Sequence, residues 1–325
     1  MKMEQVSDHC FAVLNEKNRV CDANSGLINV GTSMVIDTQS DLSHARQMIE
    51  MFGKVWSGLP RRVVNTHEDP DHVYGNQLFE GAEIIGHRSL PERMKRVAEP
   101  GELQKLTRLG NGRLTGPLLR LIHPGVVAAA RQLQEDYDFA EVELVPPTTL
   151  FDDRLVVNVD HIEAHLIYVG PCHQVGDTIV WVPQERVLFA GDALFRLCTP
   201  MGWVGTYEGW FKCLDMIVEL DPAVVVPGHG PICDVEGVKS MKAYLEYVRE
   251  ESRKYYDESV SASDAARKID LGPYADWISP ERVYLNIERA YREFRGDPAD
   301  KPWAQMKVFD ELYAIAKSRG VTPVF

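Results

Sequence analysis

Apolar positions along the chain follow two periods in turn. Residues 26–36 (GLINVGTSMVI) are strand-like and end at Asp37, after which Ala45, Met48, Ile49, Phe52, Val55 and Trp56 fall at helical spacing. Residues 61–66 read as a short buried strand that runs straight into a polar loop rich in His and Asp. After Gly75 and Asn76 the chain returns to a strand at 82–86. Across 88–140, charges mix with Leu and Ala at helical spacing, broken by Pro100, Gly110, Gly112, Gly116, Pro117 and Pro124. This pattern predicts several short helices forming a cap or insertion. Strand signal resumes at 155–159, 165–169, 178–182 and 187–190. A helix follows over 208–219, then a buried strand at 223–226, then helix to the end with breaks near 272–273, 279–280 and 296–298. Strands alternating with helices in both halves predict an α/β layered architecture.

Composition narrows the function classes. With 45% hydrophobic and 26% charged residues over 325 positions the chain is an ordinary globular sequence. Its net charge of −13 argues against nucleic acid as a partner, because phosphate binding needs clustered Lys and Arg. A run of 18 apolar residues is absent, so no membrane association is expected. Residues Met1–Asp8 place acids where a signal peptide would be apolar, and the six cysteines form no CxxC pair. A reduced, cytoplasmic protein acting on a small molecule is the expectation.

Four polar segments each terminate an apolar strand: Thr66–His72 (THEDPDH), Gly170–Asp177 (GPCHQVGD), Phe189–Asp192 (FAGD) and Pro227–Gly230 (PGHG). Strand ends are where α/β folds place binding groups. A lone His or Asp there is ordinarily a cap or turn residue; seven of them in four such loops exceed what capping needs. Imidazole with carboxylate suits Zn, Fe or Mn, and the absence of Cys pairs excludes a structural thiolate site. His67 and Asp69, two apart, can point the same way from an extended loop, and Asp71 and His72 can turn toward a second ion. His173, Asp192 and His229 supply the remaining ligands that a pair of ions about 3.5–4 Å apart needs.

In these residues the sequence resembles the metallo-β-lactamase-fold hydrolases over roughly 26–235. The family's usual loop is His-x-His-x-Asp-His, followed by a later His, a bridging Asp and a last His. Here it runs His67-x-Asp69-x-Asp71-His72, then His173, Asp192 and His229. The departure is Asp69, where most members carry His. The resemblance implies an αββα sandwich with a helical insertion at about 88–140, and a catalytic domain over 1–235. A helical extension over 236–325 would be a lid or a homodimer surface, for example through Tyr284, Ile287, Ala290, Tyr291 and Phe294. It further implies one divalent ion on His67, Asp69 and His173, another on Asp71, His72 and His229, and Asp192 bridging. Zn is the first choice, with Fe and Mn as alternatives.

The implied activity is hydrolysis by a metal-activated hydroxide, with Asp71 or Asp192 accepting a proton. Candidate substrates are an ester, lactone, thioester or aryl halide, and the layout is similar to the branch that includes chlorothalonil hydrolytic dehalogenase. The alternative is a diiron oxidoreductase or oxygenase, since relatives of that kind carry an acid (usually Glu) at the position of Asp69. No flavin domain and no iron–sulfur cysteine pattern accompanies it here. A binding module that has lost its metals would need missing ligands, and none is missing. His87, Trp203 and Tyr207 are candidate pocket residues, the segment Trp203–Trp210 being a candidate pocket wall, while Cys172 suits a small buried thiol.

Overall fold

Two β-sheets lie face to face, each covered on its outer side by helices. The computed structural model describes residues 1–325 except 57, 59, 113, 114 and 325, and of residues 109, 111 and 115 the backbone alone. The first sheet contains β1 (Lys2–Gln5), β2 (Cys10–Leu14), β3 (Ser25–Ile28), β4 (Met34–Ile36), β5 (Arg62–Val64), β6 (Glu83–His87) and β7 (Thr149–Phe151), in that spatial order. Its first four strands pair antiparallel and the rest parallel. The second contains β8 (Arg154–Val159), β9 (Ile162–Tyr168), β10 (Thr178–Val182), β11 (Val187–Phe195) and β12 (Val224–His229), antiparallel except for the parallel β11–β12 pair.

The inner faces meet through Ile28, Met34, Ile36, Val64 and Ile85 on one side and Val157, Leu166, Val180, Phe189 and Val226 on the other. Alternate residues of the first sheet, Val13, Leu27, Val35 and Val63, point outward onto Met48 and Phe52 of α1 (Leu42–Phe52). This is the layered α/β architecture that the strand and helix pattern predicts, in the αββα form that the family resemblance implies.

Two local expectations change. The stretch 26–36 is two strands, because Gly31 and Ser33 take left-handed backbone (φ 56° and 55°) and reverse the chain. Strands β1 and β2 precede the first predicted element; β2, CFAVL, is buried at every position and so shows no alternation to read.

The metal-loop segment continues into a single helical turn, α2 (Pro70–Val73). The insertion consists of α3 (Leu90–Val97), α4 (Pro100–Asn111), α5 (Thr115–Ile122) and α6 (Pro124–Asp136). It has its own small core, in which Leu90, Met94, Leu133 and Phe139 surround Tyr74 beside the metal loop.

Helix α7 (Tyr207–Glu219) covers the second sheet, and α8 (Val235–Asp257), α9 (Ala262–Lys268), α10 (Val283–Arg295) and α11 (Gln305–Arg319) pack over it. Leu188, Leu214, Met241, Leu245, Ile287 and Leu312 belong to one continuous core. The apolar face of α10 is therefore spent inside the chain: Ile287 and Ala290 are fully buried, and Tyr256 of α8 meets Tyr291 and Phe294 ring to ring. That face no longer argues for a dimer. Exposed apolar residues lie instead on α5, at Leu118, Leu121 and Ile122. Among the described residues no helix is long and apolar enough to cross a membrane.

Candidate metal centre

The four strand-end segments converge at one edge of the sandwich. Strand β5 delivers His67 just beyond its end, and α2 turns Asp71 and His72 inward. Asp69 stands at the N-cap position of α2, yet its side chain makes no cap hydrogen bond. The ordinary structural role for that residue is thus absent. Asp192 lies within β11 at a register shift against β12, and Gly191 before it has φ 50°. A bulge of this kind re-aims the next side chain. The fit is tight: a Cβ on Gly228 would stand 1.9 Å from Asp192 Oδ1.

Seven side chains meet as a result. Single atoms of His67, Asp69 and His173 lie within 4.8 Å of one another, as do those of Asp71, His72 and His229, and those of His67, His72 and Asp192. His173 Nε2 is 3.0 Å from Asp69 Oδ2, and His229 Nε2 is 3.3 Å from Asp71 Oδ2. Asp192 stands between the two groups, with Oδ2 at 3.4 Å from His173 Nε2 and 3.3 Å from His229 Nε2, and Oδ1 at 3.2 Å from His72 Nε2.

The donor set fits divalent cations. His67 Nε2, His72 Nε2, Asp71 Oδ2 and Asp192 Oδ1 are buried without a hydrogen bond. Orphaned polar atoms of this sort are costly unless a further ligand satisfies them. Electrostatics point the same way. Burial alone would push the His173 and His229 imidazoles down, but Asp192 with Asp69 or Asp71 outweighs it, lifting them to about 10 and about 9. The carboxylates thus draw positive charge into a buried space. For His67, burial and the repulsion of the neighbouring imidazoles prevail, and its pKa falls well below the ordinary histidine range.

Outer contacts hold these rings by their far nitrogens. His72 Nδ1 meets Asp37 Oδ2 at 2.7 Å, and Asp37 also accepts from Thr66 N and Oγ1 at 2.8 and 2.7 Å. His67 Nδ1 is 3.1 Å from Thr66 Oγ1, and His173 Nδ1 is 2.5 Å from the Met201 carbonyl. Such contacts fix the ring orientation and set which nitrogen faces a metal. Phe195 lies flat on His229, with centroids 5.2 Å apart.

Asp37, Met201 and Phe195 were not singled out by sequence. The available signal for Asp37 was an acid ending a buried strand; the structure adds a left-handed φ of 59°, an unusual conformation for a non-glycine residue.

The pocket candidates separate. Trp203 lies beside the centre through its backbone, since its N–H and that of Val204 donate to the His173 carbonyl at 3.1 and 3.2 Å. Tyr207 is buried and donates its phenol to the Asn286 carbonyl at 3.0 Å, joining α7 to α10. His87 stacks on Tyr168 at 4.0 Å and is not within the seven-residue cluster.

The metallo-beta-lactamase superfamily model matches residues 18–229, which includes all seven side chains. The chain belongs to that superfamily. It is 22% identical over 301 residues to the linear primary-alkylsulfatase of Pseudomonas sp. (strain ATCC 19151), covering 82% of this chain and 55% of that one. It is 30% identical over 150 residues to the type 2 metallo-beta-lactamase of Bacteroides fragilis, covering 44% and 59%. The chain therefore spans little more than half the length of these curated relatives. Among solved structures, the stereoselective inverting sec-alkylsulfatase of Pseudomonas sp. superposes with TM-score 0.64 at 15% identity, over 90% of this chain and 50% of that one. A metallo-beta-lactamase family protein of Thermus thermophilus does so with TM-score 0.60 at 16% identity, over 89% and 94%. At such identities the superpositions speak for the superfamily fold alone.

Proposed function

We propose that this superfamily member is a binuclear metal-dependent hydrolase of small molecules. The observation that carries the reading is the convergence of four orphaned, buried polar atoms from His67, His72, Asp71 and Asp192 on one point of the fold. His67, Asp69 and His173 would hold one divalent ion and Asp71, His72 and His229 the other, with Asp192 shared. Two nitrogen and two oxygen donors per ion suit Zn and leave Fe and Mn competitive. When bound, the ions supply Lewis acidity, lowering the pKa of a water toward about 7 and polarising a substrate oxygen.

The residues divide the remaining work. The imidazoles of His229, His72 and His173 face Asp192, so although burial opposes its charge, these rings hold its carboxyl well below the usual range and make it a poor base. Asp71 meets His72 and His229 through Oδ2, the atom that would face the ion, so its other oxygen is the better group to take up a proton during turnover. Asp37, Thr66 and the Met201 carbonyl orient the rings and make no contact with the reacting atoms. An ester-type substrate is the first choice, and sulfate esters lead because a curated relative aligned over 82% of this chain is named a linear primary-alkylsulfatase. Lactones, thioesters and aryl halides follow. A net charge of −13 argues against a nucleic-acid substrate, and six unpaired cysteines suit a reducing cytoplasm.

The test is elemental analysis of protein purified without added metal, followed by assay against sulfate esters, carboxylic esters, lactones, thioesters and aryl halides. Two ions per chain with oxygen-independent hydrolysis is the expected result. Turnover only with iron, dioxygen and a reductant would replace this reading with an oxidoreductase.

A further inference from the structure

We infer that Gln174 is a positioning residue that makes Asp69 present a single oxygen to the metal centre. The inference rests on the binuclear reading and deepens it. An imidazole offers a metal one atom, whereas a carboxylate offers two and can grip an ion with both. Asp69 stands where most of the family has a His, so the site carries one oxygen more than it needs. That oxygen is occupied: Gln174 Nε2 donates to Asp69 Oδ1 at 2.7 Å. The other, Oδ2, lies 3.0 Å from His173 Nε2 and 3.8 Å from His67 Nε2, turned toward the ligand cluster.

The amide is held for this purpose at a visible cost. Gln174 is buried, and its Oε1 has no hydrogen-bond partner. Flipping the amide would set Oε1 against a carboxylate, so Nε2 must face Asp69 and Oε1 stays unsatisfied. The backbone beneath is fixed by two buried carboxylates. Asp177 Oδ2 accepts from the N–H groups of Cys172, His173 and Gln174 at 2.9, 2.7 and 2.9 Å. Glu68 accepts from those of Val175 and Gly176 at 3.2 and 2.9 Å and is itself paired with Arg93 of α3 at 3.0 Å. Five successive N–H groups are thus claimed, and the side chain between them has little freedom. A neutral donor also leaves the charge of Asp69 available to the ion, which Lys or Arg in its place would offset.

One-oxygen ligation keeps the coordination number low, the condition that favours tetrahedral Zn over ions that accept more oxygen ligands. Gln174→Met keeps the length and removes the donor, freeing Oδ1 to bind. Protein loaded with Co(II) reads the change directly, because four-coordinate Co(II) absorbs visible light strongly and higher-coordinate Co(II) weakly. The expected result for Gln174→Met is a weaker visible band together with a shift of about tenfold in Zn-against-Mn competition toward Mn, the size typical of losing an outer contact. In the Asp69→His background, which has no spare oxygen, the same substitution is expected to leave both readouts unchanged.

If Gln174→Met does not fold, Gln174→Asn, whose amide falls one methylene short of Asp69, is measured in the same way. A Co(II) spectrum and a competition ratio unchanged within twofold in the folded variant would overturn the inference while leaving the binuclear reading intact. So would an equal shift in the Asp69→His background, which would mark a packing role. Wild-type protein that takes up no Co(II) would overturn the metal centre and this inference with it.

Discussion

The two halves of the centre are built on different principles. Around Asp71, His72 and His229, the outer support is anionic: Asp37 bonds the far nitrogen of His72 at 2.7 Å and so makes that ring a better donor. Around His67, Asp69 and His173, every outer partner is neutral: the Thr66 hydroxyl, the Met201 carbonyl and the Gln174 amide. Both halves place one acid of their own among the ligand atoms, Asp71 there and Asp69 here, and only the Asp71 half keeps a further carboxylate behind a ring. Beyond four imidazoles and a shared Asp192, the Asp71 half thus has two acids, one of them behind a ring, whereas the Asp69 half has one, backed by a neutral amide. A charge in direct contact changes which metals compete; one behind a ring tunes how strongly that ring binds.

The largest expected effect ignores this difference. Asp192 reaches imidazoles of both halves, so Asp192→Ala is expected to deplete both ions together. Affinity should fall by more than the roughly 100-fold that losing an outer partner can cost. Elemental analysis after dialysis reads it, and protein that keeps one ion at full occupancy would show that the halves do not share a ligand. Next comes Asp37→Asn. It is isosteric but neutral, and is expected to weaken the ion on the Asp71 side by about 10–100-fold while the other ion stays. Equal loss from both sites would erase the contrast between anionic and neutral support. Because Asp37 also accepts from Thr66 N and Oγ1, a stability loss of about 1–3 kcal/mol by denaturant titration should accompany it.

How much of this was legible beforehand follows the same line between direct ligands and their support. The proposed ligands announce themselves because they lie in polar segments at or just beyond buried strands, with residue types that burial alone disfavours. His67 follows Val63 and Val64, and His229 follows Val225 and Val226. The supports do not. Met201 contributes a backbone carbonyl, which any residue would supply, and Asp37 lies some thirty positions upstream at the end of a different strand. Gln174 is a common polar residue whose meaning depends on Asp69 being opposite. The tail misled for a related reason. The periodicity of α10 correctly marks an apolar face, but periodicity carries no information on whether the chain itself covers that face, as α8 does here.

Removing the metal treats both halves at once and should show a pH signature. Without metal, His173 and His229 titrate near 10 and near 9, above the ordinary 6.5 of an unfolded histidine. A raised folded pKa gives stability that is fully present below 6.5 and is lost as pH rises through the folded values. Chelated protein is therefore expected to lose melting temperature between about pH 6.5 and 10. Metal-loaded protein should hold its stability over that range, because its imidazoles are unprotonated like those of the unfolded chain. The gap between chelated and loaded samples should widen with pH. A gap that narrows would mean the imidazoles are not the groups exchanging protons for metal.

The smallest expected effect is the most discriminating for the comparison. Asp69→His restores the common ligand of the superfamily and removes the one direct acid that belongs to this half alone. The new imidazole still offers one atom toward the ion, so the ion should stay bound and hydrolysis should persist. The net ligand charge falls by one, which weakens hard, oxygen-preferring ions more than Zn. Zn-supported activity is accordingly expected to stay within about tenfold of wild type while Mn- or Fe-supported activity drops further, measured on apo protein reloaded with each metal. Gln174 then faces a ring nitrogen or carbon in place of Asp69 Oδ1 and loses its acceptor, so some of the gain from a conventional ligand is offset by a buried amide left without a partner. If Asp69→His instead abolished Zn binding while Mn binding survived, the carboxylate would be holding more than one ligand position, and the distinction between charge in contact and charge behind the ring would fail on this side of the centre.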